Sequence, residues 1–78
     1  MNEEHRITKL KSLILELDQE LKKIGEHEIT KRLELQRKKA MYMQSLTGDP
    51  KYGLEFLELS DQLEKRLSIF YSNAPKNL

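Results

Sequence analysis

The chain has 78 residues and no cysteine, a net charge of +1, and 35% charged against 37% hydrophobic residues. That length confines it to one small domain with a thin core. The lack of cysteine excludes disulfide staples and thiol catalysis, and the near-neutral balance excludes a bulk electrostatic draw to nucleic acid or anionic lipid. No apolar run approaches a membrane span and the N-terminus shows no signal-peptide core, so a cytoplasmic location is expected, with no membrane or nucleic-acid partner.

The first predicted element carries Ile7, Leu10, Ile14, Leu17, Leu21 and Ile24 at alternating steps of three and four. Such a heptad seam flanked by charge is a coiled-coil face. The phase is lost at Gly25, which follows Lys22 and Lys23, cations suited to the negative end of a helix. A break or kink there is favoured over a continuous helix, which would cost about 1 kcal/mol relative to alanine. Residues 1–28 thus form a heptad segment able to pack within the chain or to dimerise through the Ile7–Ile24 seam.

The second element spans about Ile29 to Leu46, with one stripe at Ile29, Leu33, Gln36, Ala40 and Met43 and another at Leu35, Tyr42 and Leu46. Two stripes imply two packing neighbours, the N-terminal helix folded back or another subunit. Thr47-Gly48-Asp49-Pro50 is the strong break. Gly48 can end one helix, Asp49 cap the next and Pro50 occupy its first turn, while Gly53 predicts some irregularity just beyond.

The third element runs from Pro50 to about Tyr71, stopped by Asn73-Ala74-Pro75. Phe56, Leu59, Leu63, Leu67 and Phe70 share its apolar face at about 100° per residue. Ser60 falls at one edge of that stripe, with Asp61 and Glu64 on the flank. A short hydroxyl there is either a packing contact or a notch beside two acids that could do work. The fold expected is all-α, an antiparallel coiled-coil-like helical hairpin (residues 29–78) preceded by the heptad helix.

The remaining polar features have plainer readings. His5 and His27 lie among glutamates without metal-ligand spacing. Arg37-Lys38-Lys39, with Lys31 and Arg32 before it, reads as a solvated face that could also dock on an acidic partner. Met41, Tyr42 and Met43 read as packing residues, and Tyr52 and Tyr71 as caps on the hairpin ends.

Leu33-Glu34-Leu35-Gln36-Arg37 and Leu57-Glu58-Leu59-Ser60-Asp61-Gln62-Leu63-Glu64, separated by a glycine-containing turn, resemble the stage-zero sporulation protein E family of small aspartyl-phosphate phosphatases. The similarity covers about residues 29–73. In the family an Ile/Leu-Glu-x-x-Arg opening precedes a helix bearing Leu-Ser-Gln-x-Leu-Asp. Ser60 and Leu63 match that motif. Glu64 stands where the family has Asp, and Asp61 where it has Gln. Gln62 is one position late, about 100° round the helix.

The resemblance implies a phosphatase acting on a phosphorylated response regulator of the sporulation phosphorelay, hence a negative regulator of sporulation. Ser60, Asp61, Gln62 and Glu64 would be the catalytic group, and Arg37, Leu57 and Leu63 the partner-binding residues. No cofactor is implied in this chain, since Mg²⁺ would sit on the regulator. The alternatives are a non-catalytic helical binding module using the same face, or a coiled-coil adapter resting on the Ile7–Ile24 seam.

Overall fold

A computed structural model describes residues 3–72, with side chains described for 3–69. It contains three helices and no strand among the described residues: α1 (Glu3–Lys23), α2 (Ile29–Thr47) and α3 (Pro50–Ser72). The all-α expectation is met. The Asn73-Ala74-Pro75 stop lies outside the described residues, as do the side chains of Phe70 and Tyr71.

The chain breaks at Gly25 rather than running through it. α1 has Glu3 and Glu4 in its first turn and Lys22 and Lys23 in its last, which matches charge to the helix dipole at both ends. The Ile24 N–H still donates to the Glu20 carbonyl, and a turn closed by the Glu28 N–H on the Gly25 carbonyl (3.1 Å) redirects the chain into α2. The Arg32 guanidinium reaches back 3.4 Å to the Ile24 carbonyl, a group left without an intrahelical donor.

The second turn is built from its own residues. Gly48 adopts φ 72°, a left-handed conformation in which a side chain would be strained, and its N–H donates to the Gln44 carbonyl. Asp49 Oδ1 accepts from the Lys51 N–H at 3.0 Å, the N-cap bond expected for α3. Helix begins at Pro50 and continues through Gly53, so the irregularity predicted there does not occur. A Cβ at Gly53 would meet only the far end of the exposed Gln44 side chain, 2.8 Å from its amide nitrogen.

α2 is the central element, packed against α1 on one side and α3 on the other. This accounts for the two apolar stripes read from its sequence. One partner is the folded-back α1, held at its start by Arg6, which donates to the Ser45 carbonyl at 2.9 Å, and further along by Lys39–Asp18 at 2.6 Å. The heptad seam therefore faces α2 of the same chain. Leu17, Leu33, Ala40 and Leu63 form the buried hydrophobic core among the described residues, with Ala40 fully enclosed. α1 and α3 do not come within 8 Å, Cα to Cα, among the described residues, so the bundle is open along one side.

Candidate functional site

The candidate residues on α3 separate by helical phase. Leu63 lies at the centre of the packed face and is 6% exposed. It is a core residue and cannot offer its side chain to a docking partner, which corrects the partner-binding role expected for it. Ser60, about 60° from Leu63 on the wheel, also turns inward. Its Oγ is buried and has no hydrogen-bond partner. The hydroxyl is thus enclosed between helices, and Ser60 does not join the acids in one open notch.

Asp61, Gln62 and Glu64 are all exposed. Asp61 pairs with Lys65 one turn on, at 3.1 Å, with side chains 61% and 73% exposed respectively. So exposed a pair adds little stability, but it sets a cation beside the carboxylate. Lys65 was missed in the sequence reading, although the Asp-x-x-x-Lys spacing signals such a pair. Leu54 was missed as well; it lies beside Leu57, the residue expected to bind a partner. They are 68% and 63% exposed, and on the helical wheel they fall on the same side of α3 as Asp61. Gln62 points about 100° away from Asp61, as its register predicts.

Arg37 projects from α2 with its guanidinium carbon 5.6 Å from the Phe56 ring centroid, a cation–π contact across the hairpin. Together with Glu34, Leu35, Lys38 and Met41 these residues line a groove of about 430 Å³ between α2 and α3. Ser60 lies one turn beyond Phe56 on that flank, and Glu64 one turn beyond Ser60.

The enclosed hydroxyl makes a first prediction. An unpaired buried polar group costs about 1–3 kcal/mol, so Ser60→Ala is expected to leave thermal stability unchanged or raise it. It should also leave any activity of the α3 surface intact. Thermal melts and one activity assay check this; a destabilised or inactive variant would return the hydroxyl to a working role.

Among the described residues no group of three or more His, Cys, Asp and Glu side chains is placed to hold a metal ion. None of the described helices is long and apolar enough to cross a membrane. Neither family models, curated proteins nor solved structures show a match to this chain.

Proposed function

We propose that this chain hydrolyses the phosphoryl-aspartate of a response regulator in a sporulation phosphorelay, using the solvent face of α3, and so acts as a negative regulator of sporulation in the cytoplasm. The reading is supported by the likeness of residues 33–37 and 57–64 to the small aspartyl-phosphate phosphatases. The observation that carries it is the exposure of Asp61, Gln62 and Glu64 on a braced helix, with Leu54 and Leu57 open beside them.

The chemistry asks little of a small protein. An acyl phosphate is an activated substrate, and Mg²⁺ held by the regulator would offset charge on the phosphoryl oxygens. Water attacks phosphorus, the bond from phosphorus to the regulator's aspartyl oxygen breaks, and inorganic phosphate and free carboxylate result. The phosphatase has to hold that water in line. Asp61 can accept a hydrogen bond from the water or take its proton, and the Lys65 ammonium offsets the repulsion between a carboxylate and the phosphoryl group. Gln62 would serve only if α3 docked rotated by about a quarter turn. Leu54, Leu57 and Arg37 supply the apolar and cationic contacts for docking.

A second reading is sequestration without hydrolysis, favoured by the same two exposed leucines, which suit a binding surface whether or not chemistry follows. Decay of a phosphorylated regulator in the presence of substoichiometric chain separates the two. The proposal expects release of many equivalents of phosphate per chain. Protection of one equivalent per chain would establish sequestration, and no effect on any regulator of the host would leave an adapter.

A further inference from the structure

We propose that residues 24–28 are a hinge with two states: the bent one of this structure, and a straight one in which α1 and α2 form a single helix and two copies exchange their first helices. In the exchanged form the seam of α1 is covered by α2 of a second copy, through contacts that this structure makes within one chain.

The two reversals of the chain are specified very unequally. At residues 47–50 a left-handed glycine, the Asp49 carboxylate on the Lys51 N–H and a proline opening α3 all oppose a continuous helix. Residues 24–28 contain no proline and no positive φ, and α2 starts after Glu28 without a side-chain cap bond. The Glu28 N–H on the Gly25 carbonyl closes the turn, and the Arg32 guanidinium braces it at 3.4 Å. In a straight helix the Glu28 N–H would simply take the Ile24 carbonyl instead. α1 is also free to leave, since among the described residues it packs on α2 but not on α3 and gives only Leu17 to the core.

Helical phase supplies the second argument. Counted at about 100° per residue straight through the hinge, the Ile7–Ile24 seam and Glu28, Arg32, Leu35, Lys39, Tyr42 and Leu46 fall in one stripe roughly 100° wide. The steps are threes and fours throughout, with one doubled four at Ile24-Glu28-Arg32, a stutter that a coiled coil absorbs by local unwinding. The apolar pattern fades there because Glu28 and Arg32 occupy the seam. Arg32 and Lys39 are the side chains by which α2 holds α1, on the Ile24 carbonyl and on Asp18. The surfaces that α1 and α2 turn to each other when bent therefore point the same way when straight. Two straight chains, antiparallel about a two-fold axis at the hinge, restore Asp18–Lys39, Ile24–Arg32 and Arg6–Ser45 between copies. The exchange leaves the outer face of α3 untouched and stands whether or not that face is catalytic.

The chain has no native cysteine, so spin labels can be placed on Ser12→Cys and Met41→Cys, at two exposed positions. Pulsed electron spin resonance then reads their separation, with unlabelled chain in excess. The bent form holds them on neighbouring helices whose axes lie about 10 Å apart. The straight form separates them by about 44 Å, at 1.5 Å per residue. Sedimentation equilibrium from micromolar to millimolar concentration should show a species of twice 9.3 kDa, and the long distance should grow with it. Gly25→Ala should strengthen association roughly 25-fold, about fivefold for each of the two hinges. Glu26→Pro should weaken it by about a hundredfold or more with helicity retained by circular dichroism, as the Glu26 N–H makes no backbone bond among the described residues. Should Glu26→Pro lose its helicity, Gly25→Ala and the distance still decide. A dimer that shows only the short distance overturns the proposal. So does a dimer indifferent to Gly25→Ala, or a monomer at every concentration in both the parent and Gly25→Ala.

Discussion

Replacing Ala40 with glutamate is expected to abolish cooperative folding. Ala40 is 0% exposed on α2, the helix that packs against both of the others. A larger side chain there must push a neighbouring helix away, and a carboxylate enclosed without a partner costs several kcal/mol. A chain of this size has about 4–12 kcal/mol of stability in all, so the loss is comparable with the whole. Ala40→Gly separates crowding from helix propensity, since it should cost only about 1 kcal/mol. Urea titration followed by circular dichroism checks both. A glutamate variant that melts within a few degrees of the parent would mean that α2 is not sandwiched.

The second large effect is on chemistry. Asp61→Gln should leave phosphatase turnover unchanged or raise it by up to about tenfold, because it removes a negative charge whose repulsion at contact distance is about 1 kcal/mol in water-like surroundings. An amide still orients water. Asp61→Ala, which cannot, should slow hydrolysis by about a hundredfold or more. Complete loss on Asp61→Gln would show that the carboxylate must take a proton. Neither change should unsettle the fold, as the Lys65 pair is exposed.

The parts of the molecule that were legible in the sequence are those decided locally. Gly48, Asp49 and Pro50 specify their turn through left-handed backbone, a capping carboxylate and a fixed φ, none of which needs a distant partner. The seam from Ile7 to Ile24 was legible as an apolar face, but its occupant was not. Which helix covers it depends on the reversal at residues 24–28, set by the Glu28 and Arg32 hydrogen bonds and not by periodicity. The long-range contacts of Arg6 with Ser45 and of Lys39 with Asp18 carry no spacing signal at all.

Within the candidate site, the wheel placed Ser60 at the edge of a stripe, where a shift of some 20° decides between buried and open. Packing against α2 turned it inward. Leu63 was read as a motif position, although its place among Phe56, Leu59 and Leu67 already marked it as core. Asp61 and Glu64 stand on the flank their register indicates. The absence of direct packing between α1 and α3 follows from how the helices cross, which one-dimensional periodicity does not encode.

Backbone-amide NMR of the labelled chain, titrated with a regulator activated by a beryllofluoride phosphoryl mimic, tests the assignment of the working surface most directly. The expected perturbations run along the outward side of the third helix, through Leu54, Leu57, Asp61 and Glu64, with Arg37 joining from across the hairpin. Perturbations confined to α1, or none with any activated regulator of the host, would contradict it.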